Sequence, residues 1–181
     1  MTARAIDVRR VELFDPDAIK ALTEPIFGNA ARHRHMDALI GAEARARAEA
    51  LHESLPKPRR IRIGAFDGER LVGCSSGWFE SGSFHIGLSA VDPAYRRVGL
   101  YTRMLGAVEQ AVRELGGLSI SSHHVATNNA VLIAKLKLGY VITGTEYDEQ
   151  MGLLVRLVLQ LSPERRALFA SRAGTLEPPA V

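Results

Sequence analysis

The segment Val91-Asp92-Pro93-Ala94-Tyr95-Arg96-Arg97-Val98-Gly99-Leu100-Tyr101 closes an apolar run and opens an amphipathic one, and at the junction it sets two arginines beside a glycine. The first backbone N–H groups of a helix lack partners and carry the positive end of the helix dipole, so a basic, glycine-containing turn into a helix suits a diphosphate. A second group lies downstream in Ser119-Ile120-Ser121-Ser122-His123-His124-Val125. Hydroxyls and imidazoles there can hold or move a proton near neutral pH. For both histidines the simpler expectation is that they satisfy local hydrogen bonds, and the alternative is that one takes part in catalysis or acceptor binding.

Both groups need elements to hold them. Phe84 to Val91 reads as a strand, and Tyr101, Met104, Leu105, Val108, Val112 and Leu115 recur at helical spacing after it. Upstream, alternation predicts strands over 6–13, 60–66 and 71–79, the last two joined by the Asp67-Gly68 turn. A short helix is expected after Asp15-Pro16, a turn at 24–29, and a longer helix over 30–54 broken near Gly41, with Met36, Ile40, Ala44, Ala48, Leu51 and Leu55 as its apolar stripe. Downstream, Gly116-Gly117 ends the helix, 119–125 forms a parallel strand after a crossover, 129–138 a helix, and 140–147 and 151–161 two final strands. The strand at 119–125 is unusual, since a parallel strand covered on both faces normally reads as Val/Ile/Leu-rich. Alternation means that either Ser121 with His123 or Ser122 with His124 faces the substrate side.

Arg96-Arg97-Val98-Gly99-Leu100-Tyr101 resembles the Arg/Gln-x-x-Gly-x-Gly/Ala pyrophosphate loop of the GNAT superfamily of N-acetyltransferases, and Asn128 to Tyr140 resembles that family's Asn-x-x-Ala-x-x-Leu-Tyr-x-x-x-Gly-Phe helix. The two matches fall in the right order and span roughly residues 84 to 147. The resemblance implies a three-layer α/β/α sandwich around a mixed, largely antiparallel sheet with a central parallel pair; length and composition add the expectation of one domain over 1–174, and Pro178-Pro179 that of a frayed tail at 175–181. It implies an acyltransferase that uses acetyl-CoA. Arg96, Arg97, Val98, Gly99, Leu100, Tyr101 and Thr102 would bind the pyrophosphate, Ser89 and Val91 the pantetheine through their backbone, and Asn128 would orient the cofactor. A backbone donor for the thioester oxygen is expected near Val91, at a bulge where the strand stops pairing.

The sequence departs from the family pattern twice. Tyr101 stands where a small residue ends the loop, so its ring must point away from the phosphates or narrow the site. Lys135 stands where many relatives have the tyrosine that protonates the departing CoA thiolate. It could serve as an acid only if burial lowered its pKa by several units, and the expectation is a lysine that faces water or touches a CoA phosphate. An alkyl ammonium titrating near ~10 is about 0.1% neutral at pH 7, so acetyl transfer to an amine also calls for a base. His123, His124 and Glu80 are the candidates, with Glu146 and Asp148 behind them.

Composition bounds the remainder. The 181 residues are 46% hydrophobic, and 23 basic residues offset 20 acidic ones for a net charge of +3. That mixture gives no basic stripe for nucleic acid. One cysteine excludes an internal disulfide and fits a reducing compartment, no apolar run approaches the ~20 residues that span a bilayer, and Met1 to Arg4 lacks a signal-peptide core. A cytoplasmic protein with no membrane partner is expected. His33-Arg34-His35 near Asp37 suggests no metal, because residues two apart on a helix do not share a face and no second ligand cluster exists. The acceptor would be an amine of a small molecule or a protein; relatives often pair, so a homodimer is allowed. The alternative to an enzyme is a CoA-binding regulatory module of the same fold with little turnover.

Overall fold

β-Branched and alternating segments assemble into one seven-stranded sheet in a computed structural model that describes residues 6–172. Its strands are β1 (Asp7–Arg10), β2 (Arg60–Asp67), β3 (Arg70–Glu80), β4 (Ser83–Val91), β5 (Ser119–Val125), β6 (Val141–Asp148) and β7 (Gly152–Gln160), in the spatial order β1-β2-β3-β4-β5-β7-β6. Only β4 and β5 run parallel, and every other neighbouring pair is antiparallel. The chain crosses from β4 to β5 through α4 (Leu100–Glu114), as a parallel pair requires.

The helices α1 (Pro16–Phe27), α2 (Asn29–Ile40) and α3 (Ala42–Ser54) precede β2, whereas α5 (Asn129–Lys137) and α6 (Pro163–Arg172) follow β5 and β7. One face of the sheet buries Ile61, Ile63, Val72, Phe84, Ile86, Ile120 and Leu157 under Leu100, Met104, Leu105 and Val108 of α4, with Leu132 of α5 packed against them. The other face is covered by α1, whose Leu22, Ile19 and Ile26 meet Leu71, Cys74 and Ala90. The three-layer sandwich with its parallel pair is thus present.

Four local expectations differ from the structure. Instead of turning at 24–29, α1 runs through Pro25 to Phe27, because Ile26 and Phe27 are held on the sheet and Gly28 ends the helix in a left-handed conformation, its N–H bonded to Glu24 O at 2.9 Å. β1 is shorter than 6–13. The break at Gly41 is real (φ 85), but Ile40, Ala48, Leu51 and Leu55 of the expected stripe are exposed, since α2 and α3 pack mainly on each other and on α1 rather than on the sheet. The side chains of His33, Met36 and Asp37 lie outside the described residues, as do 173–181. α6 was not anticipated, although Ser162-Pro163-Glu164 is a helix-start signature and Ser162 Oγ caps Arg165 N–H at 3.1 Å.

Candidate active site

The phosphate-type loop is built from its own residues. Asp92 accepts from Ala94 N–H at 2.9 Å and opens a 3-10 turn over Pro93–Tyr95, while Arg70 donates to Asp92 and the Tyr95 hydroxyl donates to Asp67, both at 2.6 Å. These contacts fix the turn against the β2–β3 hairpin. Arg97 (φ 65) and Gly99 (φ 75) are both left-handed, which lets the chain reverse directly into α4, and Arg96, Arg97, Val98 and Gly99 are all exposed. Leu100 and Met104 anchor the first turn of α4 in the core. The N–H groups at the start of α4 therefore face outward from a rigid base, with Thr102 exposed beside them. Tyr101 packs inward against the core, so its ring leaves the loop open; burial raises its pKa, and its hydroxyl has no hydrogen-bond partner.

Beside this loop the sheet opens. β4 and β5 are paired only from Ser83 to Ile86 against Ser119 to Ser122, and beyond that β4 continues to Val91 bonded to β3 alone. Asp92 N–H reaches Val72 O on β3 at 2.9 Å, so alternation turns the backbone of Asp92, Ala90 and Leu88 toward β3 and that of Ser89 and Val91 toward the gap. Val91 O accepts from Arg96 Nε at 3.1 Å. The bulge is not at Val91, as the sequence led one to expect, because Val91 still pairs with Gly73; the extra residue is Gly87, where Ser76 pairs with Leu88 and Gly77 with Ile86. Two glycines allow it. A Cβ on Gly77 would stand 1.9 Å from His85 O, and one on Gly87 would stand 2.4 Å from the Trp78 ring.

At the gap β5 sends its two histidines to opposite faces. On the α1 side, the His85 ring lies 4.9 Å from Trp78 and 5.2 Å from His123, and its Nδ1 is 3.1 Å from Ser121 Oγ. Burial first, then the neighbouring His123, lowers the pKa of His85. His123 Nε2 is buried without a hydrogen bond, and Glu146 Oε2 stands 3.5 Å away, close enough for an ion pair. On the α4 side, His124 Nε2 is 3.1 Å from Ser122 Oγ, which accepts from Lys135 Nζ at 2.7 Å. Lys135 is not water-facing: its exposure is 0%, its Nζ lies 4.4 Å over the Tyr140 ring, and burial pulls its pKa down to about 7. His124 is pushed down to about 4, by burial first and then by Lys135.

The other sequence candidates are set apart. Glu80 is exposed at the β3–β4 turn opposite Ser83, at the closed end of the parallel pair, and hydrogen-bonds to neither histidine of β5. Asp148 accepts from Gln150 and Met151 N–H at 2.9 and 2.7 Å and so shapes the β6–β7 turn. Asn128 caps α5, its Oδ1 accepting from Val131 N–H at 3.4 Å. The sequence reading missed His85, although its register partner on β5, Ser121, was in view and a histidine in an apolar strand was the available signal. Cys74 is buried and its thiol is pushed up to about 12, consistent with an inert core residue. Among the described residues no group of His, Cys, Asp and Glu could hold a metal, and no helix is long and apolar enough to cross a membrane.

A diphosphate-type loop at a helix start, a bulged strand and a splayed parallel pair agree with what sequence comparison finds: residues 25–140 match the model of the Acetyltransferase (GNAT) family. The chain belongs to the GNAT acetyltransferase family. Among curated proteins none matches the sequence. Solved GNAT structures share the fold at low identity. An aminoglycoside 6′-N-acetyltransferase complexed with coenzyme A is 16% identical with a TM-score of 0.62, over 87% of this chain and 98% of that one. A ribosomal-protein alanine N-acetyltransferase from Escherichia coli is 14% identical with a TM-score of 0.59, over 86% and 95%. An IAA acetyltransferase from Bacillus cereus is 13% identical with a TM-score of 0.61, over 87% and 100%.

Proposed function

We propose that this GNAT acetyltransferase uses acetyl-CoA as its donor substrate and transfers the acetyl group directly to a primary amine of a small molecule or protein. The observation that carries the reading is the continuity of the site: the exposed helix-start donors at 96–102 lead straight to the open backbone edge of Ser89 and Val91, and from there to the histidines of β5. The residues present fit the donor. Arg96, Arg97 and the N–H groups from Gly99 to Thr102 suit the diphosphate, and the gap-facing backbone of Ser89 with the N–H of Val91, whose carbonyl accepts from Arg96 Nε, suits the amide groups of the pantetheine. An N–H on the same edge stabilises the oxygen of the tetrahedral intermediate without needing any particular side chain.

The amine arrives as an ammonium and must lose a proton, at a cost of about 4 kcal/mol at pH 7. His123, with Glu146 beside it, is the base that this geometry favours, because His124 is already committed to Ser122. Attack on one side of the acetyl carbonyl and departure of the thiolate on the other match a strand that sends its histidines to opposite faces. The test is calorimetric titration with acetyl-CoA, followed by thiol release against a panel of amines. Binding with amine-dependent release is expected. Binding without release across the panel would favour a regulatory CoA-binding module, and absence of binding would defeat the assignment of 96–102.

A further inference from the structure

Resting on that transferase reading, we propose that Lys135, Ser122 and His124 form a proton relay that delivers the proton to the departing thiolate, with His124 at the end that faces the gap. The argument is geometric. Lys135 and Ser122 are each 0% exposed, so neither can meet a substrate, whereas His124 is partly exposed and lies just past the last β4–β5 pair, Ile86 with Ser122. Distances of 2.7 Å from Lys135 Nζ to Ser122 Oγ and 3.1 Å from Ser122 Oγ to His124 Nε2 make the three a continuous hydrogen-bonded chain. Its direction follows from the donors. Protonated lysine has no acceptor, so Ser122 receives its N–H and passes its own O–H to His124 Nε2, which leaves the imidazole proton on Nδ1 for the gap.

When the tetrahedral intermediate collapses, the C–S bond breaks with its electron pair on sulfur, and the amide keeps the new C–N bond. His124 gives its Nδ1 proton to the sulfur, Ser122 gives its hydroxyl proton to Nε2, and Lys135 gives one of its ammonium protons to Ser122. Lys135 ends neutral, and the relay resets in reverse: His124, the partly exposed member, takes a proton from solvent on Nδ1, passes its Nε2 proton to Ser122, and Ser122 returns one to Lys135, which balances the proton lost by the amine. The groups that face the lysine are compatible with such a cycle. β5 offers Ser122 and His124; His123 and His85 act on His124 from the other face; Tyr140 lies under Nζ, with Tyr101 of α4 acting on Tyr140. Among the described residues no carboxylate pairs with Lys135 to hold its proton permanently.

The experiment compares wild type with K135M, S122A and the double variant, measuring coenzyme A affinity by calorimetry and thiol release to hydroxylamine, which is neutral at pH 7 and needs no base. Two donors are used, acetyl-CoA and S-(4-nitrophenyl) thioacetate, whose thiolate leaves without a proton. With acetyl-CoA, wild-type release should fall as pH rises through about 7, while each single variant should be roughly 10²-fold slower at pH 6.5 and flat with pH. The double variant should be no slower than either single one, because the residues act as a unit. With the nitrophenyl donor the variants should come within about threefold of wild type. Replacement by tyrosine, K135Y, should restore part of the acetyl-CoA rate with its decline moved to higher pH. Equal losses with both donors, additive losses, or full release by K135M would overturn the relay while coenzyme A binding kept the transferase reading. A wild type that binds acetyl-CoA but releases no thiol overturns the relay as well. Loss of coenzyme A binding in the wild type would overturn both.

Discussion

At the scale of single residues, the phosphate-type loop was legible and the lysine was not. Arg96 to Gly99 announce themselves by type: two cations, an exposed valine and a glycine that must turn left-handed at φ 75 before the helix. The space above Gly99 is empty of protein atoms, which suits close approach by a ligand. Gly99→Val should strain the backbone by about 1–3 kcal/mol and fill that space, weakening coenzyme A at least tenfold in a calorimetric titration and lowering the thermal midpoint by roughly 2–10 °C with the transition still cooperative. Undiminished affinity would remove the loop from the binding site. Lys135 gave no such signal. α5 is only nine residues long and carries apolar side chains around most of its circumference, so no stripe told which face is inside, and the habit of lysine to seek water governed the expectation. Only the structure reveals that α5 turns it onto Ser122 and Tyr140.

Among the elements, order and type were largely readable, whereas the irregularities that shape the site were not. Alternation, helical spacing and turn residues identified most of β2 to β7 and α4, because these satisfy a local period, whereas α5 has none and was located by the resemblance of Asn128 to Tyr140 to a family helix. A bulge leaves no comparable trace. Gly77 and Gly87 read as ordinary strand glycines, yet together they accommodate the extra residue in β4 and put the side chains of Ser89 and Val91 on the opposite face from an unbulged strand. α6 escaped notice for another reason, its start signal Ser162-Pro163 lying directly against the end of β7. Trp78, the only tryptophan, reports on the bulge because its ring covers Gly87. Gly87→Ala should push that ring away, shift the tryptophan emission to longer wavelength and lower coenzyme A affinity by several-fold. An unchanged spectrum with normal affinity would mean that the bulge is not maintained by this contact.

For the whole molecule, the cost of the site is carried by the larger core. Lys135 sits at 0% exposure beside Tyr140 and the α4 face of the sheet, where a hydrophobic residue would pack without desolvating a charge. Its pKa falls from 10.5 to about 7 on folding. Between those values the unfolded chain binds a proton that the folded chain does not, so this group makes stability rise with pH across that window; below about 7 both states are protonated and the penalty is complete, and above 10.5 both are neutral and it vanishes. The shift corresponds to a penalty on the order of 4–5 kcal/mol. K135M should therefore be the more stable protein at pH 6.5, with a higher urea midpoint, and its advantage should shrink steadily toward pH 10. Measurements should stay above pH 6.5, because His124, depressed to about 4, destabilises the fold below its ordinary value and is itself relieved when the lysine is removed. A difference between the two proteins that is constant with pH would mean that the lysine is charged throughout, and its proton would then be unavailable to the sulfur.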